Sequence, residues 1–423
     1  MRGDYIRGIP RDLLLDIPPM PRALIGAGLV EQVGVEAREM GFQRALLVST
    51  GLRGTGIVDD VAALLRASGV EPVVYDRVES NPKDTQVMET AALFQSERCD
   101  GYVSVGGGSA HDATKGARFV AAHDGRSINE FRQSQPQRTP TPPHIAVNTT
   151  AGTGAETTRM AVITDTTSDD APVKWALRSH AIVPALAIND PLLYFSVPDD
   201  LKAFCGYDVL AHASETCFSP HANPHSRALG GEAIRLVAEN LRESVANPRN
   251  YAAHERMMWA QYIAAVAFSS GKLGVVHGIS HAVSACFDTH HGLNCGIITP
   301  RAWADAASAA PAVMARIAGW MGEQTAGLST FAAADRAVDA AVRLLRDLDT
   351  PPNFASIAPY SKSRMGQGIY AEIGGARITG SQAEIDRVVK HVVEVGPHEY
   401  SARAMPEPRI RALVAAAMNG ALC

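Results

Sequence analysis

The sequence lacks the features that would link it to nucleic acid or to a membrane. Among its 423 residues, 39 Lys and Arg are outnumbered by 44 Asp and Glu, which gives a formal net charge of −5. No run of basic residues stands out, so neither a nucleic acid nor an anionic membrane surface is expected as a partner. The longest apolar stretch, around Ala260–Ser269, is shorter than the roughly 20 residues that cross a bilayer as a helix.

Signals for disulfides and for export are missing as well. The six cysteines include no C-x-x-C pair and no spacing typical of a disulfide framework. The first residues, MRGDYIRGIPRDLLLDIPPMP, mix acids, proline and arginine, and they contain no continuous apolar segment of the kind found in signal peptides. We therefore expect reduced thiols and a cytoplasmic protein.

Short β-branched runs alternate with amphipathic stretches in the first half of the chain, which favours a parallel sheet covered by helices. After about Pro198, long Ala-rich stretches with helical periodicity take over. The sequence therefore predicts an α/β domain at residues 1–194 and an all-α domain at residues 195–423. The predicted strands are Ala45–Ser49, Pro72–Tyr75, Tyr102–Val105 and Ile145–Asn148, and the predicted helices are Val58–Ser68, Asp84–Glu97, Asp112–Ala122, Gly230–Val245, Tyr251–Ser269 and Ala332–Leu348.

A glycine-rich turn follows the third predicted strand. Gly106, Gly107, Gly108 and Ser109 come directly after it and precede a helical stretch. Glycines at such a turn let the backbone approach a ligand closely, and the free amides of a helix N-terminus bind phosphate. The segment matches neither G-x-G-x-x-G nor G-x-x-x-x-G-K-[ST], so a plain tight turn is the alternative interpretation.

A second loop of small residues follows the fourth predicted strand. It contains the hydroxyl residues Thr149, Thr150 and Thr153 beside Gly152 and Gly154. Their hydroxyl groups can bind a dinucleotide while the glycines let it lie close to the backbone. Because open parallel sheets bind ligands at the carboxyl ends of their strands, the two loops together favour a dinucleotide site.

Carboxylate and imidazole groups cluster in the helical half. Asp208 and His212 are four residues apart and share one face of a predicted helix. One carboxylate with two or three imidazoles suits Zn²⁺ or Fe²⁺ and leaves a position open for substrate. A divalent metal acidifies a hydroxyl group that binds to it, which would prepare an alcohol to give up hydride. Four further histidines lie within fifteen residues: His277, His281, His290 and His291. The alternative interpretation is that these are scattered core or surface histidines.

Five segments of the chain together form a specific pattern: GGGSAHDATKG (106–116), NTTAGTGAETT (148–158), NDPLL (189–193), GYDVLAHASE (206–215) and HGISHAVSACFDTHHGLNCGIITP (277–300). With these motifs, in the same order, the chain resembles the iron-containing (group III) alcohol dehydrogenases along nearly its whole length. Three further segments, TGLRGTGI, ESNPKD and KGARFVAAHDGRSINEF, suggest the branch of nicotinoprotein methanol dehydrogenases, also described as formaldehyde dismutases. The resemblance implies an N-terminal α/β dinucleotide-binding domain, a helical metal-binding domain and a homo-oligomer.

The resemblance also implies roles for single residues. His281 would lie by the nicotinamide and relay the proton as the catalytic residue, and Lys174 would reach the cofactor. The implied reaction passes a hydride between a small primary alcohol or aldehyde and a nicotinamide dinucleotide, NAD(P). The metal, Fe²⁺ or Zn²⁺ with Mg²⁺ as a further option, would be held by Asp208, His212, His277 and His291, of which His291 is chosen over His290 because it directly precedes a glycine.

One departure from the family's pattern concerns the coenzyme. Many members end the first strand of the cofactor domain with an Asp that binds the adenosine ribose, whereas this chain has Thr50, with Arg53 three residues later. A neutral residue does not repel a 2′-phosphate, and Arg53 could add a charge-assisted contact. We therefore expect NADP(H), and the resemblance to the nicotinoprotein branch implies that it stays bound through turnover. A second aldehyde or another electron acceptor would then take up the hydride.

Two other functions remain as alternatives. A metal-dependent cyclase resembling dehydroquinate synthase shares the fold, but it needs several Lys and Arg to hold a polyanionic substrate, and the ligand segments are poor in them. A non-catalytic scaffold would be expected to lose at least one metal ligand, and none is lost. A metal-dependent dehydrogenase for a small, methanol-like alcohol is therefore the leading hypothesis.

Overall fold

A computed structural model describes residues 17–132, 139–167, 172–357 and 377–421. In its first half the described chain forms a six-stranded parallel sheet with helices and a separate two-stranded antiparallel hairpin. The sheet contains β1 (Arg22–Ile25), β2 (Arg44–Ser49), β3 (Glu71–Tyr75), β4 (Gly101–Gly106), β5 (His144–Asn148) and β8 (Leu186–Asn189), and the hairpin contains β6 (Met160–Asp165) and β7 (Val173–Arg178).

The helices of the first half cover both faces of the sheet, because β2 alternates its buried side chains between two cores. The four helices are α1 (Val33–Glu39), α2 (Ile57–Ala67), α3 (Asp84–Ser96) and α4 (Gly108–Ala121). Leu46 and Val48 pack with apolar residues of α3 and α4, whereas Ala45 and Leu47 pack with those of α1 and α2. This period-two alternation is the geometry of a strand that is buried on both sides.

The strand order places a ligand crevice between β2 and β4. The order across the sheet is β1-β8-β5-β4-β2-β3. After β2 the chain adds β3 on one side of it and then crosses over to add β4 on the other side. Open α/β sheets bind ligands at such a reversal, outside the carboxyl ends of the strands. The carboxyl ends in question are Ser49 of β2 and Gly106 of β4.

The described second half is helical and has its own apolar core. Its helices are α5 (Pro191–Tyr194), α6 (Asp199–Phe218), α7 (Pro224–Ala246), α8 (Tyr251–Gly271), α9 (Val275–Phe287), α10 (His291–Ala309), α11 (Pro311–Trp320), α12 (Thr330–Asp347), α13 (Gln382–Val395) and α14 (Glu407–Asn419). Several of them begin after a side chain that accepts a hydrogen bond from the first turn: Asn223 before α7, Asn250 before α8 and Ser329 before α12.

The predicted elements are found, and others were missed. All four predicted strands are confirmed to within one residue at each end. The helix predicted from Asp112 begins four residues earlier, at Gly108, because the glycine-rich turn itself forms the first helical turn. The edge strand β1, the last strand β8 and the hairpin β6–β7 were not predicted, since each is short or lacks a clear period-two pattern.

No single helix in the described ranges has both the length and the apolar composition to cross a bilayer. The α8–α9 pair meets these criteria only when its two arms are combined, and those arms are bent by 106°.

Candidate metal centre and dinucleotide cleft

One cavity of about 610 Å³ extends between the two halves of the chain. Its lining includes Thr50 and the glycine turn on one side and the histidines of α9 and α10 on the other. The volume lies within the range of roughly 300–1,000 Å³ that is typical of sites for cofactors and small molecules. The two glycine-containing loops and the predicted metal ligands therefore belong to a single cleft.

The glycine turn at the end of β4 leads straight into a helix N-terminus. Gly106 has φ of 147°, a value that side chains rarely allow, and a Cβ atom there would lie 3.3 Å from Cγ2 of Thr50. Gly107 is extended, and α4 begins at Gly108 with Ser109 in its first turn. Gly107, Gly108 and Ser109 line the cleft, so the start of this 14-residue helix lies where its amides could bind a phosphate.

The second loop packs directly against the glycine turn. A Cβ on Gly107 would lie 2.9 Å from Oγ1 of Thr150, and one on Gly108 would lie 2.7 Å from Oγ1 of Thr153. The backbone N–H of Thr149 donates to the carbonyl of Gly106 over 3.0 Å. Side chains at these glycines would collide with Thr150 and Thr153, so the glycines let the two loops pack closely. Together the loops form a cradle that lines the cleft and suits the phosphates of a dinucleotide.

At the outer end of the cradle, Thr50 lines the cavity but Arg53 does not. The Arg53 guanidinium instead pairs with Asp76, with Nε 3.1 Å from Oδ2, and both side chains are largely exposed. Asp76 directly follows β3, next to β2 in the sheet. No local sequence pattern indicates this partner, because it lies 23 residues away along the chain.

The four predicted metal ligands converge on one carboxylate oxygen. The Nε2 atoms of His212, His277 and His291 lie 3.6, 3.5 and 3.5 Å from Oδ1 of Asp208. Ligands arranged tetrahedrally at about 2.1 Å from one ion would be about 3.4 Å apart. The three separations from Oδ1 therefore fit one metal ion between α6, α9 and α10. The group whose donor atoms all lie within 4.8 Å of one another contains Asp208, His277 and His291 but not His212. His290, by contrast, precedes α10 and packs its ring against Phe204.

Hydrogen bonds from outside the ligand group orient two of the imidazoles. Nδ1 of His277 lies 2.7 Å from Oε2 of Glu215, a carboxylate that can only accept, so His277 carries its proton on Nδ1. Nδ1 of His291 lies 2.7 Å from Oγ of Ser280. Each arrangement leaves Nε2 directed at Asp208, which is the usual geometry of a metal-binding histidine.

The electrostatics of the ligand group also fit a cation. Burial would raise the pKa of Asp208, but the surrounding imidazoles hold that pKa far below its usual value. Burial lowers the pKa of His212 to about 3 and that of His291 well below its normal range, so both offer neutral nitrogen. Burial opposes protonation of His277, but the Asp208 and Glu215 carboxylates outweigh it and raise the pKa of His277 to about 9. Its buried Nε2 therefore faces a negative site where a metal ion would take the place of a proton. A metal ion would satisfy that nitrogen and the Asp208 charge together.

His281 lies beside the ligand group on the cavity wall. Its ring centroid is 6.2 Å from that of His277 and 5.0 Å from that of His291. Burial lowers its pKa well below the usual value, and the neighbouring His291 and Lys174 add to that effect. A neutral imidazole of this kind can accept a proton at neutral pH.

Lys174 lines the same cavity from the hairpin strand β7. Its ammonium donates a 2.7 Å hydrogen bond to Oδ1 of Asn81, whose Nδ2 donates over 2.7 Å to Asp288. Burial lowers the pKa of Lys174 to about 8. Asn81 thus joins the cofactor half of the chain to the loop after α9 and fixes where the lysine points.

Sequence reasoning missed three residues of this site. Glu215 was visible only as the last letter of a motif, and Asn81 only as part of ESNPKD. Cys295 was counted as a plain thiol, although it follows His291 by four residues and so shares its helical face. That spacing was the one signal that could have identified it.

Comparisons with known proteins agree with this geometry. The family model described as "Iron-containing alcohol dehydrogenase" matches residues 20–191, and that described as "Fe-containing alcohol dehydrogenase family, C-terminal" matches residues 202–358. The methanol:N,N-dimethyl-4-nitrosoaniline oxidoreductase of Mycobacterium sp. (strain DSM 3803 / JC1) is 50% identical over 377 residues, which cover 88% of this chain and 89% of that one.

Two further similarities span most of the chain. The NAD-dependent methanol dehydrogenase of Bacillus methanolicus is 38% identical over 338 residues, covering 80% of this chain and 88% of that one. The crystal structure of a 1,3-propanediol oxidoreductase superposes with a TM-score of 0.85 at 35% identity, covering 96% of this chain and 100% of that one. The chain therefore belongs to the iron-containing alcohol dehydrogenase family.

Proposed function

We propose that the protein oxidises a small primary alcohol such as methanol to the aldehyde, and that the hydride passes to a nicotinamide dinucleotide that stays bound through turnover. The main support for this proposal is that a single cavity joins the two loops to the proposed metal ligands. The loop cradle lines one part of it and the ligand group around Asp208 lines another. A dinucleotide with its phosphates on the cradle would extend toward the ligand group.

The residues of the cleft would divide the chemistry between them. Asp208, His212, His277 and His291 would hold one divalent metal, Fe²⁺ or Zn²⁺. The bound metal would supply a Lewis acid for the alcohol oxygen, and the bound nicotinamide would supply a hydride acceptor. His281 accepts the hydroxyl proton at its neutral imidazole and releases it toward solvent. Lys174, positioned by Asn81, holds the cofactor at the inner end of the cleft.

The preference for a small substrate is supported by the surroundings of the ligand group. The ring of Phe268 stacks on His212 with centroids 4.5 Å apart and lines the cavity. This aromatic wall is apolar and carries no charge, which suits a small neutral alcohol beside the ligands. Two relatives named for methanol oxidation agree with this substrate class.

For the coenzyme we propose NADP(H). Thr50 puts no charge at the end of β2, and Arg53 stands beside it in an exposed ion pair with Asp76. Exposed pairs of this kind contribute at most about 1 kcal/mol, so a 2′-phosphate can draw Arg53 away from Asp76. A second aldehyde or an artificial acceptor would reoxidise the retained cofactor.

We place the boundary between the cofactor and metal domains at residues 194 and 195, between the short helix α5 and the start of α6. We also propose a homo-oligomer that works in the cytoplasm. The free thiols Cys99, Cys205, Cys217, Cys286 and Cys295 are in keeping with a reducing compartment.

The cyclase alternative is not favoured. The relatives described above are all named as oxidoreductases or dehydrogenases of alcohols. A non-catalytic scaffold is equally at odds with a complete ligand group in a cavity that reaches the cofactor cradle.

Native mass spectrometry of the untreated protein tests the proposal most directly, because it weighs metal, retained nucleotide and subunit number together. We expect one metal and one dinucleotide per chain, and methanol oxidation with an artificial acceptor but without added coenzyme. A chain that purifies with no nucleotide and turns over only with free coenzyme would contradict the retained-cofactor half.

Replacing a ligand tests the metal half. His277→Ala should remove both metal and activity, while the circular-dichroism spectrum stays that of the folded protein. His123→Ala is the matched control, since that histidine follows α4 and lies outside the cavity lining. A metal-free His277→Ala protein with normal turnover would overturn the ligand assignment.

A further inference from the structure

A thiol lies at ligand distance inside the group around Asp208. The Sγ atom of Cys295 is 3.7 Å from Oδ1 of Asp208 and 3.7 Å from Nε2 of His291. The Cys295 side chain is fully buried. One donor atom from each of Asp208, His277, His291 and Cys295 can be chosen so that all four lie within 4.8 Å of one another.

The sequence of α10 accounts for this placement. His291 and Cys295 are one turn apart, and each is followed by a glycine. A Cβ on Gly292 would lie 2.1 Å from the carbonyl oxygen of Phe204, and one on Gly296 would lie 2.6 Å from Cδ2 of Tyr207. The two glycines thus let α10 lie directly against α6, so that the His291 and Cys295 side chains reach Asp208.

The distances match those of a sulfur donor. Cys295 would be a fifth donor beside the four proposed ligands. With about 2.3 Å from Zn²⁺ to sulfur and about 2.0 Å to oxygen, neighbours at the 90° and 120° angles of a five-coordinate site would be about 3.0 and 3.7 Å apart. The two separations from Sγ, both 3.7 Å, lie at the upper end of that range. A hydrogen bond from the thiol to Asp208 is the competing explanation, and it predicts no bond between sulfur and metal.

We propose that Cys295 is a sulfur donor to the metal, and that it biases the site toward Zn²⁺ and away from Mg²⁺. The inference rests on the ligand set of the proposed function. On binding, the thiol proton leaves for solvent and a sulfur–metal bond forms without any change of oxidation state. Thiolate is a soft ligand that suits zinc, whereas Mg²⁺ prefers oxygen ligands, so one sulfur shifts the selectivity of an otherwise nitrogen and oxygen site.

Cobalt substitution tests the sulfur–metal bond. The metal of the purified holoenzyme is exchanged for Co²⁺, the bound metal is quantified, and the near-ultraviolet spectrum is recorded. We expect a thiolate-to-cobalt charge-transfer band in the unaltered protein and in Cys286→Ser, and its loss in Cys295→Ser. Cys286 is the matched control because it lies on α9, as His277 does, but is partly exposed and outside the ligand group.

X-ray absorption at the zinc edge of the unaltered protein needs no variant, so it decides the matter even if Cys295→Ser fails to fold. One sulfur at about 2.3 Å supports the inference, and a shell of nitrogen and oxygen alone overturns it. In the folded Cys295→Ser variant, zinc affinity should fall by at least the roughly 10–100-fold that changes outside the ligand shell cause, with little change for Mg²⁺.

The outcomes separate this inference from the proposed function. A sulfur–metal bond in a protein that does not oxidise alcohols would leave Cys295 as a donor and remove the proposed activity. A protein with one metal per chain that oxidises methanol, but whose cobalt and zinc spectra show no sulfur ligand, would support the proposed activity and remove Cys295 as a donor.

Discussion

The buried carboxylate of Glu215 accepts a 2.7 Å hydrogen bond from Nδ1 of His277, and its other oxygen accepts one from the backbone N–H of Val276 over 2.8 Å. Glu215 comes from α6, the helix that also carries Asp208, whereas His277 comes from α9. One carboxylate therefore fixes both the tautomer of a proposed ligand and the start of the helix that presents it. Glu215 is a positioning residue for the metal site.

Replacing Glu215 with Gln should weaken metal binding while the chain stays folded. The amide has one acceptor oxygen for two donors, so either His277 or Val276 loses its partner and the imidazole is freer to turn. Changes of this kind typically cost about 10–100-fold in metal affinity. Competition with a metallochromic chelator measures the loss, and Glu232→Gln on the exposed face of α7 is the control. Unchanged zinc affinity in Glu215→Gln would show that the hydrogen bond does not position the ligand.

The proton relay can be separated from metal binding at His281. We expect His281→Gln to retain the metal and to lose about 10²–10⁴-fold in turnover, which is the usual span for general acid–base groups. Because burial keeps the pKa of His281 well below its normal range, the defect should be present at neutral pH and should shrink as pH rises and hydroxide takes the proton. Metal analysis alongside a pH–rate profile checks both parts. Loss of the metal in this variant would make His281 a ligand instead.

Lys174 predicts how cofactor binding depends on pH. Its folded-state pKa is lowered to about 8 by burial, so its positive charge is present below pH 8 and disappears above it. The dissociation constant of the dinucleotide, measured on cofactor-stripped protein, should therefore rise between pH 8 and pH 9, by at most about tenfold per pH unit for one proton. Lys174→Met should bind more weakly at pH 7 and show a flatter profile.

Asn81 provides the second half of that test, because it holds Lys174 without lying in the ligand group. Asn81→Ala should weaken dinucleotide binding at pH 7 less than Lys174→Met does and should keep the dependence on pH. A profile for Lys174→Met that matches that of the unaltered protein would assign the titration to another group, with the buried Lys115 as the next candidate.

The parts of the molecule that the sequence could predict are those governed by local patterns. The strands β2 to β5 were found because their β-branched runs are bounded by turns and helices. Asp208 and His212 could be proposed together because residues four apart share a helical face. The family resemblance then ordered these fragments into one site.

The parts that could not be predicted depend on contacts between distant segments. Arg53 meets Asp76, and Asn81 meets Asp288, only because the fold brings their loops together. Nothing in the local sequence marks such partners, so the sequence alone predicts an Arg53 side chain that is available to a phosphate. Cys295 is an intermediate case, because its spacing from His291 was visible but the glycines that bring it to Asp208 act only once α10 packs on α6.

The Arg53–Asp76 pair leads to a specific prediction about which coenzyme the protein prefers. We expect denatured protein to release NADP(H), since Thr50 leaves the end of β2 uncharged and Arg53 can exchange Asp76 for a 2′-phosphate. Thr50→Asp should restore the repulsion and favour NAD(H), whereas Asp76→Asn should free Arg53 and tighten retention of NADP(H). Thr55→Ser, which keeps a hydroxyl in the same lining, is the control. Chromatography of the nucleotides released from each variant measures the preference. Recovery of NAD(H) alone from the unaltered protein would show that Thr50 does not select the coenzyme.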